Sequence, residues 1–414
     1  MRSNILKNAL NVSMENDDVV VENQEINPVT EETSVQVDEV LEQVRDAGDV
    51  VDDHEEVVEE LDQAADSMES LIASLESAIA DGGMSPQAAD VHSRAVAIAT
   101  RRLPVDASQF TVSVESYGGT GDKLQASMEA LEGAKELLTK IWNGIKSAVQ
   151  NAWKAVVNFV STIGKSSEAL RRAGKLLIAQ ANGTKGNAAG KKVDGAAVAK
   201  MLHKGGTMAS GSSVGGLLTS IVSSGAAVVQ SAKVAQTELT KLSGAIAAGR
   251  TTTEEQQGGY DAIINALPKG ELPGGREIEV QDSGMPKLVV KTELKDGAVE
   301  LDVPSVNDIK SIGQGIIKIA DFIADYDKKY FKGLEKSIND FVNKQDQLIK
   351  RMELEKAETK KVRGELAGFK KISGIARAVG PDYLSYAANA AKASFNFGKK
   401  ALAQYAKGAA PAAA

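Results

Sequence analysis

Residues 124–163 read LQASMEALEGAKELLTKIWNGIKSAVQNAWKAVVNFVSTI. Apolar side chains fall at 124, 128, 131, 138, 141, 142, 145, 149, 152, 153, 156, 157 and 160. Steps of three and four place them on one face of an α-helix, because successive residues turn by about 100°. Trp142 and Trp153, the only tryptophans, lie three turns apart on roughly the same side. Lys135, Lys140, Lys146 and Lys154 supply basic charge around them. This stretch predicts a mainly α protein of long amphipathic helices.

Upstream, the chain reads as two shorter helices around a turn. The first covers Ser67–Ala80 and stops at Asp81-Gly82-Gly83, since glycine suits the left-handed position after a helix. Ser85-Pro86 opens the second, with serine as N-cap and proline at the first helical position. Val91, Ala95, Ile98 and Leu103 are expected to form its apolar face. Before this pair, residues 16–66 are dense in Asp and Glu, a composition that opposes folding. The expectation is a partly disordered acidic N-terminus with a disordered tract at 16–66, in which Val37–Ile79 is open to intermittent helix, and a helix pair at 67–103.

Downstream, residues 182–216 are Gly-rich and carry Lys185, Lys191, Lys192, Lys200 and Lys204, a flexible basic loop by composition. Period-two alternation appears at Arg276–Gln281 and Ala298–Val303, with a strand-like run at Lys287–Leu294 between them. Asp282-Ser283-Gly284 and Lys295-Asp296-Gly297 separate the three runs. A three-stranded antiparallel β meander over about 276–303 is expected. Helical spacing returns in the C-terminal region 304–414, from Ile309 to Leu348 and again from Tyr383 to Tyr405.

The charge has its own boundary. Residues 1–115 hold 26 acidic side chains against 6 basic, a net of −20; residues 116–414 hold 30 against 42, a net of +12. The change falls at Thr111-Val112-Ser113-Val114-Glu115-Ser116-Tyr117-Gly118-Gly119. These observations divide the chain into an acidic propeptide (1–115), a basic helical region (116–275), the β meander and a helical C-terminal region. Ser113-Val114-Glu115 is one of several small-x-Glu triplets. Others are Ser13-Met14-Glu15, Ser67-Met68-Glu69, Ser74-Leu75-Glu76, Ser127-Met128-Glu129 and Ala130-Leu131-Glu132. A protease needs an accessible, extended backbone, so those inside predicted helices are poor substrates. Ser113–Glu115, cut before Ser116, is the primary site, and Ser13–Glu15 the secondary one.

Enzyme chemistry finds little support. Cysteine is absent, which excludes a disulfide framework and thiol catalysis. The three histidines, His54, His92 and His203, have no metal-ligand spacing between them. Gly164-Lys165-Ser166 imitates the end of a phosphate loop, but Phe159 stands where its first glycine is required. Gly313-Gln314-Gly315 meets Lys318 where a dinucleotide motif needs a third glycine. The expectation is a non-enzymatic protein without metal or cofactor. Met1–Leu10 is a poor secretory signal, since Lys7 and Asn8 break its apolar run. Gly205–Ala232 is the nearest approach to a membrane span, weakened by its Gly and Ser content.

Two binding readings remain open. The lysines at 185, 191, 192, 200 and 204 suit non-specific phosphate contacts with DNA, or are ordinary solvated charge. The Trp142/Trp153 helix suits a membrane surface or a partner face, as in a membrane-active effector or toxin-like protein, or is core packing.

Met68-Glu69-Ser70-Leu71, Gly82-Gly83-Met84-Ser85-Pro86, Arg101-Arg102-Leu103-Pro104 and Ser113–Gly119 occur in that order. Over residues 67–160 the chain resembles the N-terminal portion of internal head proteins of large tailed bacteriophages. The resemblance implies synthesis in the host cytoplasm and assembly with other capsid or core proteins. It implies removal of an N-terminal propeptide by a prohead protease that cuts after Glu in a small-x-Glu triplet. The mature protein is then expected inside the capsid with packaged DNA and, in some phages, ejected with it.

Overall fold

The long helix expected at 124–163 is present and extends further in both directions. The computed structural model describes residues 30–117, 123–208, 210–249, 253–281, 284–294, 299–354 and 359–408. In chain order the helices are α1 (Thr30–Ala80), α2 (Pro86–Ala99), α3 (Lys123–Gly183), α4 (Ala196–Leu202), α5 (Val214–Ala247) and α6 (Thr253–Asn265), then α7 (Val306–Tyr326), α8 (Lys332–Leu354), α9 (Thr359–Ala378) and α10 (Pro381–Gly408). The strands are β1 (Lys192–Asp194), β2 (Arg276–Val280), β3 (Pro286–Val290) and β4 (Glu300–Asp302). The protein is mainly α, as expected.

The reading of 16–66 as a disordered tract does not hold from Thr30 onward, where the 51-residue helix α1 begins and makes continuous the intermittent helix open over 37–79. Val37, Leu41, Val44, Val51, Val58, Leu61, Ala65, Met68, Ile72 and Leu75 are all buried. They recur mostly at alternating steps of three and four, a heptad seam that keeps one face of a helix against its neighbours. Burial of that seam offsets the repulsion among the solvated carboxylates on the other face. Residues 1–29 lie outside the described residues.

Two compact units divide the chain, and both long helices contribute to each. The first holds residues 50–155 and 345–370. Here the turn after α1 is fixed by close approach. The Gly83 N–H donates to Ala78 O at 2.8 Å. Gly83 has φ +99°, and a Cβ there would lie 2.7 Å from the Lys123 backbone. Only glycine fits such a left-handed, crowded position. The Met84 N–H then donates to Ser127 Oγ at 2.9 Å, tying the turn to the start of α3. Ser85 caps α2 through the Ala88 N–H, as its sequence predicts. The buried face of α2 differs from expectation: Ala89 and Val96 are buried, while Val91 and Ile98 are exposed.

The second unit holds residues 156–344 and 371–414, together with 30–49 of the described chain. The buried positions of α5 include 214, 218, 221, 225, 228, 232, 235, 239, 242 and 246, with Gly215, Ser231 and Ser243 buried beside them. This 3–4 alternation is unbroken, and it lies along α7, whose Ile309, Ile312, Ile316, Ile319 and Ile323 repeat the same way. Glycine permits the close contact: a Cβ at Gly225 would sit 2.5 Å from Phe322, and one at Gly315 would sit 2.9 Å from Leu218 Cβ. After Tyr326 the next seam residue is Phe331, one position later than the repeat requires. A π-helical turn at Asp327–Phe331 absorbs the extra residue and returns Leu334, Ile338 and Phe341 to the core. Ser305 and Asp308 form a reciprocal capping box at the start of α7.

The three-stranded meander is corrected to two separate antiparallel pairs. β2 and β3 form a hairpin, Arg276 opposite Val290 and Val280 opposite Pro286. β4 instead pairs with β1, Val193 opposite Leu301. Leu301 and Val193 are both buried, so the third strand gains more by covering the segment at 192–194 than by extending the hairpin. The same pairing corrects the Gly-rich loop at 182–216, which contains β1, α4 and a 3₁₀ turn at Gly211–Ser213. Asp194 Oδ1 accepts from the Ala196 N–H at 3.1 Å, and Val198 and Leu202 are buried, which together set α4.

Candidate processing seam and basic segment

Phe110 and Tyr117 are buried aromatics with only a short surface segment between them. Phe110 closes a 3₁₀ turn begun by Asp106, whose carboxylate accepts from the Ser108 N–H at 3.0 Å. Its backbone abuts α3, where a Cβ at Gly133 would lie 2.6 Å from Phe110 O. The Lys140 ammonium sits 4.4 Å from the Phe110 ring centre. On the other side the Tyr117 hydroxyl donates to Ala126 O at 3.0 Å. Burial, with Glu129 adding to it, raises the Tyr117 pKa above its ordinary value, so the phenol stays a donor.

Between these anchors Ser113, Glu115 and Ser116 are exposed and Val114 is half-buried. Val114–Tyr117 form one 3₁₀ turn. The Ser116 N–H donates to Ser113 O at 3.0 Å, and the Glu115 N–H meets Ser113 Oγ at 3.4 Å. Opening this turn gives an extended backbone at the Glu115–Ser116 bond at little cost, since a 3₁₀ turn is poorly bonded. The other triplets differ. Ser67–Glu69 and Ser74–Glu76 lie within α1 with Met68 and Leu75 fully buried, and Ser127–Glu129 and Ala130–Glu132 lie within α3 with Ser127 fully buried. Ser13, Met14 and Glu15 lie outside the described residues. Glu115 and Ser116 belong to one compact unit, so the change of charge coincides with an exposed turn inside a unit.

Lys185, Lys191, Lys192, Lys200 and Lys204 are all exposed. Their segment is fastened at several points. The Ala189 N–H donates to Gln404 O at 2.9 Å, Lys192 Nζ lies 3.0 Å from Asp302, and Lys400 Nζ lies 2.6 Å from Asp194. The pair with Asp302 neutralises Lys192 locally, which weakens its claim as a phosphate contact relative to the other four.

Trp142 and Trp153 are only 6% and 3% exposed. In this fold both indoles are packed in the core rather than presented to solvent. Among the described residues, Gly211–Ala247 is the one helical stretch long and apolar enough to cross a membrane by length and composition. Its heptad seam against α7 is the pattern of a helix packed on helices.

One polar cluster carried no spacing signal. His203 and Arg276 lie beside two glycine pairs, Gly205-Gly206 and Gly274-Gly275, all four with positive φ. His203 Nδ1 and Arg276 Nε are both buried with no hydrogen-bond partner. Burial lowers the pKa of His203, opposed by the Glu271 carboxylate, and burial lowers that of Arg276. The Arg276 guanidinium lies 5.3 Å from the Tyr386 ring centre, and the Tyr386 hydroxyl donates to Pro273 O at 2.7 Å. The glycine pairs were the available hint, since such pairs let two loops approach closely.

Comparison with known proteins gives one result. The family model for phiKZ-like phage internal head proteins matches residues 35–400. No curated protein and no solved structure matches the chain. The match spans most of the sequence, from inside α1 to inside α10, and the chain belongs to this family. It is an internal head protein of a large phage, located within the capsid.

Proposed function

We propose that this internal head protein is a non-enzymatic structural component that a prohead protease cuts between Glu115 and Ser116. The observation that carries the reading is the exposed segment 113–116 leading into the 3₁₀ turn Val114–Tyr117, placed where the chain changes from net −20 to net +12. Ser113 supplies the small residue and Glu115 the carboxylate that such a protease recognises. The buried Phe110 and Tyr117 hold the segment in place while it is cut.

The basic part then lies against packaged DNA. Lys185, Lys191, Lys200 and Lys204 meet phosphates without reading base sequence. Attraction between such charges decays over roughly 8–10 Å at physiological salt, so it acts at contact distance. Ejection with the genome belongs to the same reading.

The test is a Glu115→Gln variant supplied during infection. Intact-mass measurement of purified virions is expected to show the variant at full length beside shortened wild-type protein. Equal shortening of both forms would refute the assignment of the cut to Glu115.

A further inference from the structure

We propose that the cut after Glu115 nicks the protein without releasing its N-terminal piece, and that residues 30–115 remain docked on the remainder as a non-covalent partner. The inference rests on the seam being the processing site. It goes further by naming what occupies the core afterwards.

Ion pairs, a hydrogen bond and close backbone approaches join residues on the two sides of the seam, beside a buried apolar stripe on α1. In the first unit Val51, Val57, Val58, Leu61, Met68, Ile72 and Leu75 of α1 are buried. Around them lie groups from beyond residue 115. Lys370 Nζ pairs with Asp62, Lys135 Nζ lies 2.8 Å from Glu76, and Ser127 Oγ accepts the Met84 N–H. Two glycines bring backbones together across the cut, Gly83 against Lys123 and Gly133 against Phe110. In the second unit Val37, Leu41 and Val44 are buried, Lys392 Nζ lies 2.8 Å from Asp38, and a Cβ at Gly48 would lie 3.5 Å from the Phe159 ring.

Hydrolysis of the Glu115–Ser116 peptide bond adds one water and yields a carboxylate and an amine at an exposed turn. None of these contacts includes the broken bond. Tyr117, the second residue of the new C-terminal piece, keeps its own hydrogen bond to Ala126. Separation would expose a heptad seam along the whole of α1 and leave the facing core uncovered, a cost set by apolar area. The ion pairs are partly solvated and contribute little. Retention is therefore expected to be insensitive to salt.

The experiment uses the full-length protein with a site-specific protease sequence inserted between Glu115 and Ser116 and an affinity tag at the N-terminus. After complete cutting, the pieces are captured through the tag and washed at low salt or at roughly 1 M NaCl, where charges are screened within about 3 Å, then exchanged into volatile buffer for native mass spectrometry. The expected result is a one-to-one complex of the two pieces under both conditions, separating only in denaturant. Loss of the C-terminal piece at low salt overturns the inference, and loss at high salt alone overturns its apolar basis. A virion N-terminus other than Ser116 would instead sink the seam as the processing site while leaving the docking result intact.

Discussion

Ser113-Val114-Glu115 and Ser67-Met68-Glu69 have the same residue types at their ends, yet the fold exposes one and buries the other. The first occupies a 3₁₀ turn with its serine and glutamate exposed. The second is inside a 51-residue helix, with its middle side chain fully buried. Opening the first breaks a Ser116–Ser113 hydrogen bond; opening the second unwinds helix and withdraws Met68 from the core. Recognition by a short motif is thus decided by the free energy of exposing it, which the local fold sets.

The largest expected effect tests the motif itself. Under the proposed processing, Glu115→Gln removes the carboxylate of the triplet and is expected to slow cutting at this bond on the order of 10²-fold or more. Glu69→Gln is expected to leave processing unchanged. Band quantification in a cleavage time course checks both, and equal effects of the two substitutions would erase the distinction. Next, Leu61→Ala leaves a cavity in the α1 seam and costs about 2–5 kcal/mol. It is expected to lower the melting temperature and to make the Ser67–Glu69 triplet cleavable. A destabilised variant with no new cut would show that burial does not protect α1.

Two smaller changes sharpen the contrast. Ser305→Ala removes the capping box of α7 at a cost of about 1 kcal/mol. Thermal unfolding is expected to register the loss, with the ratio of cutting at the two triplets unaltered, which separates general instability from local exposure. Tyr117→Phe removes the hydrogen bond to Ala126 O, worth about 0.5–1.5 kcal/mol. A modest rise in the rate of cutting after Glu115 is expected in the same assay. A fall in that rate would mean that Tyr117 presents the bond to the protease rather than holding it closed.

Much of this arrangement was legible in the residues. The 3–4 spacing of 124–163, the Gly82-Gly83 stop and the Ser85-Pro86 start each express a local rule, and each is met. The acidic tract was misread because charge density dominates its composition, while its seam is carried mainly by valines and small residues. Val37, Leu41, Val44 and Val51 keep heptad spacing through that charge, and spacing, not composition, predicts their burial. The third strand failed for a different reason. Glu300–Asp302 alternates correctly, but a strand of three residues cannot specify its partner, and Lys192–Asp194 is more than a hundred residues away. Trp142 and Trp153 share a helix face as expected; only the packing decides whether such a face meets solvent or core. His203 and Arg276 come together through two loops, and no spacing rule joins positions so far apart.

The docked fragment changes how the central claim must be tested. If residues 30–115 remain bound after cutting, peptides from that region persist in virions whether or not the bond is broken. The direct measurement is chemical labelling of free amino termini on protein from purified virions, followed by peptide mass spectrometry. A dominant labelled N-terminus at Ser116 is predicted. An intact peptide spanning Val114–Tyr117 at full abundance, with no label at Ser116, would contradict the claim.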